Sequence, residues 1–257
     1  MKIIACIKQV PDSEAKIKAE NGQVSWGESP LVINPFDEYA VEGALQQKEA
    51  VNGSTVTALC IGPESAKEAL KHALAMGADD AILVSDAALD ALDTQGAARV
   101  LAAAIQKVGG VDMVVFGRQT LDDGSGLTAA QTARILGWPM LGLAGQIKVQ
   151  DGSVQVSRVI EEGRQNVKAN LPAVISVVQS IGEPRYPSFM GIRKASKANI
   201  PIWASSDLGV SAPAQIVSRL ELITPPSRDV TCEIISGEDP AEIAGQLADK
   251  ILAEKVL

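Results

Sequence analysis

A single histidine, His72, stands among the 257 residues. Catalytic schemes that set an imidazole beside a nucleophile therefore have almost no parts here. His72 falls on a helical pattern and reads as a surface or interface residue. The three cysteines, Cys6, Cys60 and Cys232, are far apart, and no Cys or His cluster has metal-ligand spacing. Two of them sit in strand-like runs and read as reduced core thiols of a cytoplasmic protein. Aromatic residues make up only 3% of the chain. Ala, Val, Ile and Leu are left to build the core, a composition that suits parallel α/β packing. Basic residues number 23 against 31 acids, for a net charge of −8. That balance argues against general nucleic-acid or anionic-membrane binding. No apolar run approaches the roughly 20 residues of a membrane span. Residues 1–8 lack the layout of a signal peptide and read as a first strand.

What the chain does have is alternation. Apolar runs at 2–8, 54–61, 81–84 and 111–116 read as strands. Helical patterns separate them, at 35–51, then one opened by Gly62-Pro63-Glu64-Ser65 with Ala66, Leu70, Ala73 and Leu74 on one face, then at 94–108. Asn34 is placed as an N-cap with Pro35 at the first helical position, and Asp37 and Glu38 follow in the first turn. Residues 9–26 read as a loop able to carry a small hairpin, with turn signals at Pro11-Asp12 and Asn21-Gly22. The βαβαβαβ order predicts an α/β fold with a doubly wound, mostly parallel, Rossmann-like sheet.

The stretch Gly117, Arg118, Gln119, Thr120, Leu121, Asp122, Asp123, Gly124, Ser125, Gly126, Leu127 and Thr128 joins a strand to a helix that ends near Gly137-Trp138-Pro139. It is neither a Walker A loop nor GxGxxG. Its glycines let backbone N–H groups approach an anion, and Ser125, Thr128 and the helix start add donors. Two readings stand: a nucleotide phosphate cradle, or a Gly/Ser loop that merely caps a helix. Asn34, Ile61 and Gly117 all lie at C-terminal strand ends, which an open α/β sheet gathers around one crevice.

Beyond Met140 the texture changes. Runs at 141–149 and 153–158 flank Asp151-Gly152, a hairpin signal. Runs at 165–169 and 173–179 extend the sheet or form an adjoining layer. Pro184 and Pro187 open a loop bearing Tyr186, Phe189, Met190 and Ile192, followed by a basic helix from Arg193 to Lys197. That loop reads either as a partner-docking knob or as an ordinary loop tucked onto the core. Residues 199–257 read as a tail punctuated by Pro201, Pro213, Pro225 and Pro226, with a strand at 230–235. A last helix carries Ile243, Leu247, Ile251 and Leu252 on one stripe.

The run Val156-Ser157-Arg158-Val159-Ile160-Glu161-Glu162-Gly163-Arg164-Gln165-Asn166-Val167, then Leu171-Pro172-Ala173-Val174-Ile175-Ser176, resembles the signature of the electron transfer flavoprotein beta subunit. Asn34-Pro35-Phe36 with the residues up to Glu42, Ala73-Leu74-Ala75-Met76-Gly77-Ala78-Asp79, and Glu183-Pro184-Arg185-Tyr186 with the Lys-rich helix after it agree. The resemblance covers essentially the whole chain, including Asp207-Leu208-Gly209-Val210 in the tail.

The resemblance implies a fold of the adenine nucleotide alpha hydrolase-like kind. Residues 1–198 would be the nucleotide-binding domain, including a recognition loop at 183–198. Residues 199–257 would be an arm and helix docking on an alpha subunit. It implies an electron carrier with no catalytic side chain, passing electrons from acyl-CoA dehydrogenase-type flavoenzymes through FAD to a quinone oxidoreductase. The FAD is held mainly by the alpha subunit of the heterodimer, and this subunit buries an AMP with no redox role. Carried over by residue, the AMP pocket uses Cys6, Asn34, Pro35, Phe36, Asp37, Ile61 and the stretch from Gly117 to Thr128. Backbone N–H groups, Ser125 and Thr128 grip the phosphate. Asp122 and Asp123 turn to ribose hydroxyls, N–H groups or a cation. Pro184, Arg185, Tyr186, Phe189, Met190 and Ile192 map onto the recognition loop, with Phe189 where Leu is usual.

Two further departures bear on the cofactor. Leu127 stands where relatives commonly have Gln, and Ser13 where some have Tyr near the flavin. Electron-bifurcating relatives bind a second FAD in place of AMP and oxidise NADH. Asp122, Asp123 and Thr128 follow the AMP type, whereas residues 124–127 follow neither pattern. A lone nucleotide-binding regulatory module is the remaining alternative.

Overall fold

The structure is a computed structural model that describes residues 1–20, 23–90, 92–211, 216–217, 221–223 and 231–254. The turn signal Asn21-Gly22, together with Pro213, Pro225, Pro226 and Val230, lies outside the described residues. Two compact units divide the chain, Met1–Leu222 and Ile223–Leu257.

The first unit begins with strands β1 (Lys2–Ile7), β2 (Gln9–Pro11), β3 (Lys18–Glu20), β4 (Gln23–Ser25) and β5 (Leu31–Ile33), then helix α1 (Pro35–Ala50). It continues with β6 (Thr55–Ile61), α2 (Lys67–Met76), β7 (Asp80–Val84), α3 (Thr94–Val108), β8 (Met113–Gly117) and α4 (Thr128–Leu136). Strands β9 (Met140–Gln150), β10 (Ser153–Ile160), β11 (Gly163–Asn170) and β12 (Ala173–Val177) follow, then α5 (Phe189–Ala195) and β13 (Ile202–Trp203). Among the described residues the main sheet has nine strands in the order β11-β10-β9-β12-β8-β1-β6-β7-β13. Every pairing from β9 to β13 is parallel, and β9, β10 and β11 pair antiparallel.

Alternation along β1 explains the layers. Ile3 and Ala5 point into one core with Val41, Leu45 and Leu70 from α1 and α2. Ile4 and Cys6 point into another with Val100, Ile105 and Ala133 from α3 and α4. A strand buried on both faces reads as a continuous apolar run, because its neighbours on either side are helices. From β1 the chain moves outward to β6 and β7, then crosses back to β8 on the other side of β1. The strand order therefore reverses between β1 and β8, where Cys6 pairs with Phe116. Such a reversal opens a crevice at the carboxyl ends of the two strands.

The Asp151-Gly152 hairpin is present between β9 and β10, with both residues left-handed at φ 50 and 72°. The β9–β11 runs extend the main sheet. Strand β9 shifts register in its pairings with β10 and with β12, and Leu143 takes φ 59° there. Ser176 Oγ accepts the Leu143 N–H at 3.2 Å, and Arg158 Nε donates to Gly142 O at 3.0 Å.

Several expectations are corrected. Residues 9–11 are not loop but a strand paired with β5, because Val10 is fully buried. Helix α5 starts at Phe189 rather than Arg193, because Ser188 Oγ accepts the Gly191 N–H at 2.9 Å and caps it there. Residues 231–235 form no strand. Asn34 makes no side-chain cap to α1; its amide is engaged elsewhere, as described below. Strand β13, from the stretch after residue 198, pairs parallel with β7.

The second unit contains α6 (Pro240–Ala253), whose Asp239 Oδ1 accepts the Ala241 N–H at 3.0 Å. Lys250 pairs with Glu233 at 2.6 Å. Leu247, Ile251 and Leu252 are exposed. Among the described residues no helix is long and apolar enough to cross a membrane.

Candidate functional site

At the crevice, Gly117 ends β8 where nothing larger fits. A Cβ there would lie 2.5 Å from Asp37 Oδ1 and 2.6 Å from Phe36 O. Asp37 is buried, and its Oδ2 accepts the Lys8 N–H at 2.8 Å. The same carboxyl lies against the end of β8 at Gly117, whose N–H favours its ionised form. One aspartate thus ties the end of β1 to the end of β8. Burial pushes its carboxyl up to about 7, against the Asn34 amide and the Lys8 and Gly117 N–H groups, which favour the anion.

Asn34 is fully buried and holds the next segment in place. Its Nδ2 donates to Gln119 O at 2.9 Å, and its Oδ1 accepts the Leu121 N–H at 3.1 Å. The amide mimics a backbone partner and so sets the path of the loop leaving β8. Cys6 is buried beneath the crevice floor. Burial, then Asp37 and Cys60, raise its thiol well above the usual range, so the group stays neutral and unreactive.

The loop between β8 and α4 is solvent-facing from Leu121 to Leu127, while Gln119, Thr120 and Thr128 are half-buried and Arg118 is exposed. Gly124 and Gly126 take φ 68 and 62°, a region that favours glycine. A Cβ on Gly126 would come within 3.1 Å of Arg118 O. Leu127 supplies no side-chain cap to α4, so the opening N–H groups of that helix meet no acceptor from it. Asp122 Oδ2 pairs with Lys8 Nζ at 2.6 Å. One turn into α4, Gln131 Oε1 is a buried acceptor with no hydrogen-bond partner among the described residues. Ile61 ends β6 beside β1. Pro35 and Phe36 are half-buried at the start of α1. The fold therefore brings Cys6, Ile61 and Gly117 to one edge of the sheet, with Asn34–Asp37 bonded across it. A glycine-lined turn running into a helix N-terminus has the donors to receive an anionic group, and half-buried Pro35, Phe36 and Ile61 beside it can flank a planar base.

A second feature lies on the 183–198 segment. Tyr186 is 91% exposed, Phe189 82%, Met190 70% and Ile192 53%. These side chains do not tuck onto the core. Helix α5 itself is anchored, since a Cβ on Gly191 would overlap the Ala75 carbonyl oxygen and Ala195 is buried. Pro184 is half-buried. Arg185 faces α1, where Glu42 and Glu49 take up its guanidinium. His72 pairs with Glu38 at 2.9 Å, joining α2 to α1. No group of three or more His, Cys, Asp or Glu suited to a metal ion occurs among the described residues.

Sequence reasoning missed Lys8, Gln131 and Glu42. Glu42 lies inside one of the stretches that carry the family resemblance, but its partner is far along the chain. Lys8 and Gln131 carry no local signal.

Residues 27–208 match the model of the electron transfer flavoprotein domain family. The chain is 35% identical to caffeyl-CoA reductase-Etf complex subunit CarD of Acetobacterium woodii, over 100% of both chains. It is also 35% identical to the electron transfer flavoprotein subunit beta of Megasphaera elsdenii, again over 100% of each. The Bacillus subtilis electron transfer flavoprotein subunit beta is 32% identical, covering 99% of this chain and 98% of its own.

Proposed function

Since this chain belongs to the electron transfer flavoprotein family, with beta subunits matching its full length, we propose that it is the beta half of a cytoplasmic heterodimeric electron carrier. It receives electrons from an acyl-CoA dehydrogenase-type flavoenzyme and passes them towards a quinone oxidoreductase. FAD held mainly by the alpha subunit supplies the redox chemistry, and this subunit binds a structural AMP. Its own residues bind, orient and exclude water.

The crevice between β1 and β8 carries the nucleotide half of this reading. It offers a strand end where Gly117 excludes a Cβ, a turn where Gly126 takes φ 62°, a buried amide that sets the loop, and an uncapped helix start. In this reading the N–H groups at 124–128, with Ser125 and Thr128, receive the phosphate. Cys6, Asn34, Pro35, Phe36, Asp37 and Ile61 shape the remaining wall. Asp122, neutralised by Lys8, leaves Asp123 to meet a ribose hydroxyl. Residues 1–198 carry the nucleotide-binding part, with β13 from the following stretch added at the edge of its sheet, and the arm at 199–257 covers its apolar stripe with the alpha subunit.

A second reading places another FAD in the same crevice and makes the complex an NADH-oxidising, electron-bifurcating one. It draws on the run 124–127, which lacks the usual Gln; Leu127 is 52% exposed there.

The carrier role is tested by co-expression with an alpha subunit and anaerobic mixing with an acyl-CoA dehydrogenase and its substrate. We expect the flavin to bleach. Phe189→Ala should slow bleaching about tenfold or more, the effect of losing a central apolar anchor, with FAD content unchanged. Bleaching at the native rate in that variant would contradict the docking face.

A further inference from the structure

The apolar face at Tyr186, Phe189, Met190 and Ile192 needs a rigid base, and α1 supplies it. Glu42, Gln46 and Glu49 recur at helical spacing along one side of that helix. Gln46 Nε2 donates to Ile181 O at 3.1 Å and to Glu42 Oε1 at 3.3 Å. Gly182 takes φ 139° there, a backbone conformation that favours glycine. Three residues on, the Glu42 carboxylate takes Arg185 in a fork. Nε meets Oε2 at 2.8 Å, Nη2 meets Oε1 at 3.0 Å, and the Arg185 backbone N–H reaches Oε2 at 3.2 Å. Nη1 also reaches Glu49 Oε1 at 2.5 Å.

The two acids differ in setting. The Glu42 side chain is 7% exposed and that of Glu49 61% exposed. Burial would raise the Glu42 carboxyl, but Arg185 holds it below its ordinary range. The fork is thus a charge-assisted, partly desolvated contact, and the Glu49 arm is a screened surface pair. Arg185 directly precedes Tyr186, and Ser188 caps α5 two residues later. Gly191 and Ala195 fix the far side of α5 against α2. Arg185 is therefore the near anchor of the exposed face.

Resting on the docking reading above, we propose that Arg185 does not contact the partner: it is a positioning residue, latched by Glu42 on α1, that holds the 186–192 face in its docking geometry. The outward basic charge near that face comes instead from Arg193, Lys194 and Lys197, all exposed. A neutralised guanidinium adds nothing to long-range attraction, whereas those three do.

The test uses the assembled heterodimer and a reduced acyl-CoA dehydrogenase as donor. Glu42→Gln and Arg185→Lys keep side-chain bulk but break the fork, and Phe189→Ala is the docking control. We expect KM for the dehydrogenase to rise about tenfold in both latch variants with kcat within about twofold. FAD content should be unchanged, and amide exchange across 182–188 should be faster. Glu49→Gln should move KM by less than about threefold. A KM within about twofold of native in both latch variants, while Phe189→Ala raises it, overturns the latch. If Phe189→Ala leaves KM unchanged, the docking reading is what fails. The latch is then decided by exchange alone, and unaltered exchange at 182–188 in Glu42→Gln overturns it.

Discussion

At the residue scale the crevice depends on two buried polar side chains, Asn34 and Asp37, that hydrogen-bond the backbone around it. Asn34 satisfies a carbonyl and an N–H of a loop 85 positions away. Removing its amide leaves both groups without their partner, at about 1–3 kcal/mol each. Asn34→Ala should therefore lower unfolding free energy by about 2–4 kcal/mol in urea and abolish retention of bound nucleotide. A loss under about 0.5 kcal/mol would show that the loop holds itself. Asp37 makes a pH prediction. Unfolded, it releases its proton near 3.8, whereas in the fold it keeps it up to about 7. Between those values the folded state holds the extra proton. The contribution of this group to stability thus falls as pH rises through the window and is level above it. The melting temperature of the native chain, taken relative to Asp37→Asn, should decline from pH 4 to 7.5; a rising difference would contradict the burial argument. The positions of both residues were legible from the sequence, because a strand-to-helix junction marks the crevice. Their roles were not. An N-cap pattern is a local signal, and the bond that displaced it spans the fold.

At the scale of the element, strand and helix periodicity gave the layers, and the Asp151-Gly152 dipeptide gave the hairpin. Failures came where tertiary contacts override local pattern. Residues 9–11 look polar, yet Val10 is fully buried and pairs into β5. The basic run at 193–197 suggested where a helix should begin, but the Ser188 hydroxyl caps α5 so that it starts at Phe189, four residues before Arg193. That cap makes Phe189 and Met190 part of a helix rather than a free loop. Ser188→Ala should cost α5 about 1 kcal/mol locally. Exchange of the amides at 190–195 should speed up while global unfolding stays put. Unchanged exchange would mean that Gly191 packing alone sets the helix start.

At the scale of the whole molecule, the reversal of strand order between β1 and β8 gathers residues from four separate junctions. The alternation of elements was enough to anticipate a doubly wound sheet with a crevice at its carboxyl edge, but not between which strands the order reverses. What occupies the crevice was not written in the alternation, because glycines and hydroxyls suit many phosphates alike and residues 124–127 follow no single pattern. The account stands on an adenylate lodged at that edge, beside a flavin carried by the alpha subunit. The most direct measurement is to purify the native heterodimer, denature it, and separate and quantify the small molecules released. The account predicts AMP and FAD in about equal amounts, one of each per heterodimer; two FAD molecules and no AMP would contradict it.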